Sequence, residues 1–480
     1  MELQEIIELK AELQQLVTSE QAWHYGIIPK TVTPEAIGFY VDTKQYHPSL
    51  ISELEMLYAK KIILVETSTE VIRKALGKYY RKGTSKSKNN TQRVNFNSGD
   101  FLTDLIVEAN SINCSDIHLE PYEDKSRVRL RLDGKLLERY VIDKEEYPAL
   151  VNKIKIKANL DIAEKRLPQD GRIFFQSSGN QFDIRVSVLP TLHGEKIVLR
   201  LLSKDATNIE LSELGFTPFQ LSSFLEGIKN PHGIVLVSGP TGSGKTTTLY
   251  ATLKILNKEE TNVLTIEDPI EYTLPGINQV QLKESIGLTF ASALRTFLRQ
   301  DPDIIMLGEI RDSETAQMAI RASLTGHLVL STIHTNSAWG IISRLLDMGI
   351  PSFLLASTLN MVVAQRLVRV LCPKCKSEHP FDPSLLPAEY KAPVNVTSHF
   401  TAAGCESCYY TGYKGRKAVY EVVTMEPALI EAIRAEKQDV NSILTEKGFD
   451  TLADSAYHIF ANGETTMEEI YPILKSKSGE

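Results

Sequence analysis

The 480-residue sequence has only five cysteines and no long uninterrupted hydrophobic run. So few cysteines exclude a small disulfide-stabilised scaffold. No segment approaches the roughly 18 consecutive apolar residues that a membrane-spanning helix needs. Residues 1–5 also lack a basic segment followed by an apolar core, so they do not resemble a secretory signal. We therefore expect a cytoplasmic protein, which could still dock on a membrane protein.

An excess of basic residues is also missing. The 53 lysines and arginines are outnumbered by 60 aspartates and glutamates, which gives a formal net charge of −7. A protein whose main task is to grip nucleic acid usually carries a basic excess or a basic face, so no nucleic-acid partner is expected. A chain of 480 residues exceeds what one hydrophobic core supports, and two to four domains are predicted.

Composition and periodicity divide the first 200 residues into segments. Residues 4–17 have apolar positions at helical spacing, and mixed structure continues to about residue 80. Residues 81–91 contain no apolar residue, so a flexible linker is predicted over residues 81–98. Contact of its cations with anionic lipid is the less favoured alternative. Short strands with one or two helices predict a compact α+β domain over residues 99–205.

Within that domain, apolar residues alternate with arginines over residues 127–132. This alternation predicts a strand with one buried face and one wet face. Asp133 and Gly134 follow, and this pair predicts a hairpin turn. Further strands are predicted at residues 172–177, 182–188 and 196–202.

After about residue 205 the pattern changes again. Strands alternate with helices as far as residue 365, which predicts a mostly parallel sheet covered on both faces. Residues 366–420 hold four of the cysteines, and residues 421–480 are predicted to be helical. The fold class predicted for the chain is therefore α/β, with a smaller α+β domain before the main one.

A phosphate-binding motif follows the apolar segment at residues 233–238 and precedes a predicted helix. Its residues are Gly239, Pro240, Thr241, Gly242, Ser243, Gly244, Lys245 and Thr246, with Thr247 next. A strand, a glycine-rich loop and a helix in this order are the context that a P-loop requires. Backbone N–H groups would surround the phosphates of ATP, Lys245 would reach the β- and γ-phosphates, and Thr246 would bind Mg²⁺. A glycine-rich turn that matches by chance is the disfavoured alternative.

A second predicted strand, residues 303–309, is apolar over residues 304–308 and ends in the carboxylate of Glu309. In P-loop ATPases such a strand lies beside the P-loop strand, so Glu309 is predicted to polarise the attacking water. A surface acid at a strand end is the alternative. Glu267, in the acidic segment 265–271, is a candidate to help hold Mg²⁺ or its waters, although a solvated turn fits equally well.

Two histidines, His327 and His334, flank the predicted strand at residues 328–332. Such histidines could sense the γ-phosphate or a neighbouring subunit. Each alone would more often be an ordinary loop histidine.

The cysteines form the pattern C-x₂-C-x₂₉-C-x₂-C at Cys372, Cys375, Cys405 and Cys408. Two pairs at this spacing can complete a tetrahedral Zn²⁺ site, and four cysteines leave no open position for a substrate. The predicted zinc is therefore structural. Two disulfides are the disfavoured alternative in a reducing compartment. The unpaired Cys114 is predicted to be a small buried residue.

Taken together, these segments resemble the secretion ATPases of type II secretion and type IV pilus assembly. The resemblance covers about residues 100–475 and rests on six motifs in the order of the family. These are the P-loop, T-I-E-D-P-I-E at 265–271, L-R-Q-D-P-D-I-I-M-L-G-E-I-R-D at 298–312, T-G-H-L-V-L-S-T-I-H-T-N at 325–336, S-D-I-H-L-E-P at 115–121 and R-L-P-Q-D-G-R at 166–172.

The resemblance implies a PAS-like domain at residues 99–205, followed by a RecA-like motor domain at residues 206–480. It also implies a homohexameric ring. Arg185 and Arg200 match family arginines that approach the nucleotide phosphates from the smaller domain. Arginines Arg295, Arg299, Arg311 and Arg344 match motor-domain positions linked to activity or subunit contacts. A surface salt bridge is the alternative for any one of them.

The implied function is ATP hydrolysis that powers assembly of a pseudopilus or a pilus at the inner membrane. In this family the ATPase moves a platform membrane protein. The first domain of the ATPase, matched loosely by residues 1–80, docks on the cytoplasmic part of another membrane protein. The cysteine quartet favours assembly over pilus retraction. A ring-shaped DNA translocase or DNA-uptake motor is the alternative, which the acidic balance and the cysteine quartet disfavour. A non-catalytic scaffold is unsupported, since Lys245, Thr246 and Glu309 are all present.

Overall fold

The computed structural model describes residues 9, 13, 16–17, 19–33, 35–47, 49–58, 60–69, 71–72, 75–76, 92–93, 100–177, 180–202 and 209–475. Most of the predicted helix at residues 4–17 and of the predicted linker at residues 81–98 lies outside the described residues. The chain divides into two compact units. The first comprises Met1–Asn97, Asp124–Arg129 and Glu138–Lys144, and the second comprises the rest.

The first unit contains a small three-stranded sheet. Its elements are α1 (Ser19–Tyr25), β1 (Ile27–Val32), β2 (Ala36–Asp42), α2 (Ser49–Tyr58) and β3 (Lys61–Thr67). Strand β2 lies in the centre, antiparallel to β1 and parallel to β3. The parallel pair needs a crossover, which α2 supplies while burying Leu50 and Leu54. Gln92 and Arg93 form β4, which pairs in parallel with residues 140–141.

Short strands and two helices follow, as predicted for an α+β segment. They are α3 (Phe101–Ser111), β5 (Asp116–Pro121), β6 (Lys125–Leu132), β7 (Lys135–Asp143), α4 (Tyr147–Lys157), β8 (Gln169–Ser177), β9 (Asn180–Thr191) and β10 (Gly194–Leu202). Strands β5, β10, β9 and β8 are neighbours in that order and antiparallel. Burial alternates along β6, and Asp133 and Gly134 both have positive φ, so both predictions are confirmed.

The second unit also contains a seven-stranded sheet. Its strands, in spatial order, are β13 (Asn278–Gln281), β12 (Val263–Glu267), β14 (Ile304–Leu307), β15 (Leu328–Ile333), β11 (Gly233–Ser238), β16 (Leu359–Leu371) and β19 (Tyr413–Thr424). Neighbouring strands are parallel, except that β19 runs antiparallel to β16. Successive residues of β11 enter two different hydrophobic clusters, one on each face. The predicted parallel sheet with two covered faces is therefore confirmed.

Helices cover this sheet and form the C-terminal part of the chain. They are α5 (Pro218–Gly227), α6 (Lys245–Leu256), α7 (Phe290–Phe297), α8 (Ser313–Leu324), α9 (Gly340–Asp347), α10 (Ser352–Thr358), α11 (Pro427–Arg434), α12 (Asn441–Glu446), α13 (Leu452–Ala461) and α14 (Met467–Lys475). A two-stranded hairpin, β17 (Lys376–Pro380) and β18 (Ser398–Ala402), lies between β16 and β19. Among the helices of the described residues, none has the length and apolar character needed to cross a bilayer.

Two features of the sheet correct the sequence-based expectations. Strand β14, which leads to Glu309, does not lie beside the P-loop strand, because β15 is inserted between β14 and β11. The sheet also extends past residue 365. Strand β19 is its last member, so residues 421–424 are strand rather than helix.

Candidate functional site

The glycine-rich loop leaves the buried strand β11 and enters α6. Gly239, Gly242 and Gly244 have φ values of 147°, 81° and 88°, which L-residues with a Cβ rarely adopt. Gly244 is the N-cap of α6, so the backbone N–H groups of the first helical turn face the loop. This arrangement gives the end of α6 the geometry and the dipole that bind an anion.

Lys245 lies at the first position of α6 and folds back over the loop. Its Nζ donates hydrogen bonds to the carbonyl oxygens of Gly239 at 2.7 Å and Pro240 at 3.2 Å. Burial lowers the pKa of Lys245, while the Glu309 carboxylate opposes that shift. Lys245 and Glu309 are therefore close enough to interact electrostatically, although one strand separates the elements that carry them.

Glu309 is held where β14 ends. The neighbouring strand fixes its backbone, since the Thr332 hydroxyl donates to the carbonyl of Gly308 at 2.8 Å and the Ile310 N–H donates to the carbonyl of Thr332 at 2.8 Å. Arg311 donates to one carboxylate oxygen of Glu309, and Nε2 of His334 lies 3.3 Å from the other. The sheet thus brings the predicted acid and one of the two predicted histidines together.

The two histidines lie at opposite ends of β15, a strand inside the sheet. His334 follows Ile333, which pairs with Ser238 just before the loop. His327 precedes Leu328, which pairs with Gly233 at the start of β11. A six-residue strand spans roughly 17–20 Å, and Nδ1 of His327 lies 2.8 Å from the carbonyl oxygen of Ala322. The structure does not bring His327 to the loop of this chain.

Glu267 ends β12 as a buried acid. Its carboxylate accepts hydrogen bonds from Tyr250 on α6, from the Thr265 hydroxyl at 2.7 Å and from Nε2 of Gln279 at 3.0 Å. Burial, with the adjacent Glu267, raises the pKa of Tyr250, so the phenol remains a donor. Three neutral groups therefore already donate hydrogen bonds to the carboxylate that the sequence suggested as a Mg²⁺ ligand.

Arg185 and Arg200 lie side by side on β9 and β10. Nη1 of Arg185 lies 3.1 Å from a carboxylate oxygen of Glu271, and its Nη2 donates to the carbonyl of Ile270. Nε of Arg200 donates to Asp116 at 2.9 Å. Asp116 raises the pKa of Arg200, which keeps its charge. Within one chain, Arg185 therefore contacts the acidic segment 265–271 rather than the glycine loop.

Two residues near the loop, Gln365 and Arg366, were not predicted from the sequence. Gln365 on β16 donates from Nε2 to the carbonyl of Ser243 at 2.8 Å, and Arg366 donates from Nη2 to the carbonyl of Asn336 at 3.0 Å. Gln365 is 2% exposed. The signal in the sequence was a polar pair placed directly after the apolar segment 361–364.

The four cysteines converge although they come from two distant segments. All four Sγ atoms lie within 4.8 Å of one another. The Sγ atoms of Cys372 and Cys405 lie 3.9 Å apart, and those of Cys375 and Cys408 lie 3.7 Å apart. Tetrahedral zinc with Zn–S bonds of about 2.3 Å places sulfurs about 3.8 Å apart, so the cluster fits that ion. The cysteines are free, which contradicts the disulfide alternative.

The backbone around the cysteines suits negatively charged sulfurs. The N–H groups of Cys405 and Gly412 point at Sγ of Cys408, at 3.2 Å and 3.3 Å. Cys114 lies apart and is 5% exposed, as predicted, with its thiol donating to the carbonyl of Asp116.

Comparison with known proteins identifies relatives over most of the chain. A family model described as Type II/IV secretion system protein matches residues 98–472. Type II secretion system protein HxcR of Pseudomonas aeruginosa is 49% identical over 378 residues, 78% of this chain and 77% of that protein. Type IV pilus assembly ATPase PilB of Myxococcus xanthus is 41% identical over 492 residues, 96% of this chain and 87% of that protein. The crystal structure of the pilus retraction motor PilT with bound ADP is 25% identical, with a TM-score of 0.54, covering 79% of this chain and 98% of that one.

Proposed function

The chain belongs to the Type II/IV secretion system protein family and is an ATPase, and we propose that it powers assembly of a pseudopilus or a type IV pilus. One observation carries this proposal. The glycine loop with Lys245, Glu309 and His334 follow the carboxyl ends of β11, β14 and β15, which end at the same side of the central sheet. Phosphate binding and activation of a water can occur together there. The relatives, a type II secretion protein and a type IV pilus assembly ATPase, suggest the process.

In this proposal, residues 239–247 bind the nucleotide phosphates and Lys245 contacts the β- and γ-phosphates. Glu309 accepts a proton from the attacking water, and His334 and Arg311 hold its carboxylate. The Thr246 hydroxyl holds Mg²⁺, which neutralises phosphate charge when bound. The four cysteines Cys372, Cys375, Cys405 and Cys408 hold a structural Zn²⁺.

Arg185 and Arg200 supply further positive charge when domains or subunits close around the nucleotide. Glu267 positions α6 through Tyr250, and His327 acts at a subunit boundary. These roles require a neighbouring domain or subunit, and we infer a homohexamer in which each ATP site depends on that neighbour.

We also propose a division of the chain into domains. It consists of a partner-docking domain at residues 1–80, a linker at 81–98, a PAS-like domain at 99–205 and a RecA-like ATPase domain at 206–480, with a zinc module at 366–420. Its partners are an inner-membrane platform protein and the cytoplasmic part of a second membrane protein. The chain accordingly works in the cytoplasm at the inner membrane, without nucleic acid.

The site is tested by comparing the ATPase rates of wild-type protein, Glu309→Gln and Glu431→Gln. Glu309→Gln removes the proton acceptor but keeps the shape, so the rate should fall at least about 100-fold while ATP still binds. Glu431 is an exposed acid on α11 and serves as the matched control with an unchanged rate. Equal rates for wild type and Glu309→Gln would refute the proposed site.

A further inference from the structure

A buried hydrogen bond fixes one peptide of the glycine loop. Nε2 of Gln365 donates to the carbonyl oxygen of Ser243 at 2.8 Å. In a trans peptide the C=O and the following N–H point in opposite directions. The bond that holds the Ser243 carbonyl towards Gln365 therefore turns the N–H of Gly244 away from it. Gly244 is the N-cap of α6, where an N–H directed out of the protein core can meet a phosphate.

The orientation of Gln365 is itself determined by a chain of hydrogen bonds. Oε1 of Gln365 accepts from the Thr248 hydroxyl at 2.9 Å, and the Thr248 and Tyr420 hydroxyls lie 3.1 Å apart. A carbonyl oxygen can only accept, so Gln365 must present its NH₂ to Ser243 and its oxygen to Thr248. The one proton of Thr248 is thereby used, so Tyr420 must donate to Thr248. The Ser243 carbonyl, which can only accept, thus determines the direction of every hydrogen bond in this series.

This network lies in a dry part of the molecule. Gln365, Thr248 and Tyr420 are 2%, 0% and 1% exposed. Gln365 and Tyr420 are direct cross-strand neighbours on β16 and β19, and the Tyr420 ring stacks on Phe216 with ring centres 3.7 Å apart. A buried polar group without its partner costs about 1–3 kcal/mol. The three side chains and the Ser243 carbonyl therefore have little freedom to change hydrogen-bond partners.

We propose that Gln365 is a positioning residue of the ATP site, which sets the Gly244 N–H to bind a phosphate oxygen shared by ADP and ATP. Thr248 and Tyr420 act behind it by fixing the direction of its amide. The inference rests on the proposed role of residues 239–247 in phosphate binding. It assigns part of the shape of the loop to a strand more than one hundred residues later in the chain.

The test replaces the donor and keeps the shape. Gln365→Glu places an oxygen against the Ser243 carbonyl, so the Kd for ADP should rise about tenfold, as expected for the loss of one hydrogen bond and an added repulsion. The KM for ATP should rise by a similar factor, with kcat changed less than about twofold. Thr248→Val should give a smaller rise in both constants, and Thr248→Ser, which keeps the hydroxyl, should restore wild-type values.

Several outcomes overturn the inference. An unchanged Kd for ADP in folded Gln365→Glu does so, as does a fall in kcat at unchanged KM. If Gln365→Glu fails to fold, the Thr248→Val and Thr248→Ser pair decides, since equal Kd values for the two also refute the inference. Lys245→Ala separates the two proposals: ADP binding that survives this change refutes the phosphate site itself. ADP binding lost in Lys245→Ala but intact in Gln365→Glu refutes the positioning role alone.

Discussion

The glycine loop and the four-cysteine cluster are both compact sites, but they are made from different parts of the chain. The loop presents backbone N–H groups, and its shape depends on positive φ values at Gly239, Gly242 and Gly244. The cysteine cluster presents four side chains, and backbone N–H groups only support the sulfurs. A site made from backbone groups is therefore sensitive to every neighbour that orients a peptide. A site made from side chains depends chiefly on the presence of its ligands.

The largest effect on ATP hydrolysis is expected from adding one methyl group to the loop. In Gly239→Ala the new Cβ would lie 2.4 Å from the carbonyl oxygen of Gln365, and φ is 147°. Neither backbone can move away cheaply, so the ATPase rate should fall more than about 100-fold, corresponding to about 3 kcal/mol.

Gly242→Ala is the matched control for this change. Its φ is also positive, but its Cβ would meet nothing within 4 Å. Only backbone strain of about 1 kcal/mol is added, so the rate should fall by less than about tenfold. Equal losses at the two positions would show that neighbours do not determine the loop's sensitivity.

A smaller effect on hydrolysis is expected at the cysteine cluster. Cys408→Ser removes one of four ligands, so bound zinc should fall from one ion per chain towards none, as measured by elemental analysis. Trypsin should then cut residues 376–404 faster. The ATPase rate should fall less than about fivefold, because the cluster touches none of the proposed catalytic groups. A loss as large as that of Gly239→Ala would show that the two sites are one functional unit.

The smallest effect on hydrolysis is expected at Glu421 on β19, the strand of the central sheet that follows the cysteine cluster along the chain. Burial raises the pKa of Glu421 from 4.5 to about 7. Below pH 4.5 the acid is protonated in both the folded and the unfolded chain. As the pH rises from there to about 7, the unfolded chain ionises first, so the folded state loses stability. Above pH 7 the loss is constant at about 3 kcal/mol.

Glu421→Gln should remove this loss. Urea unfolding should show the variant more stable than wild type by up to about 3 kcal/mol at pH 8 and nearly equal to it at pH 4.5, with the ATPase rate at pH 7 within about twofold. Glu431→Gln, at an exposed acid, should leave the pH profile unchanged. Parallel pH profiles for wild type and Glu421→Gln would contradict the raised pKa.

Much of the local structure was predictable because its determinants are adjacent in the sequence. The strand β11, the glycine loop and α6 are consecutive, and the alternation along β6 with the turn at Asp133 and Gly134 lies within ten residues. The cysteines are predictable for another reason, since the C-x₂-C spacing specifies the chemistry without specifying the fold. The roles of the individual site residues remain predictions.

The order of the strands was less predictable. Expecting β14 beside β11 was wrong, because periodicity identifies a buried strand without identifying its neighbours. The membership of β19 in the sheet was missed for the same reason: it is separated from β16 by the cysteine segment.

The sequence by itself determined the chemical groups of this protein: a phosphate-binding loop, an acid after an apolar strand, and four cysteines spaced for a metal. Only the tertiary structure decided which groups meet. It placed His334 against Glu309 and His327 at the opposite end of β15. It also brought Gln365 into contact with Ser243 of the loop. The physical reason is that hydrophobic patterns and turns act over a few residues, whereas strand order joins residues more than one hundred positions apart.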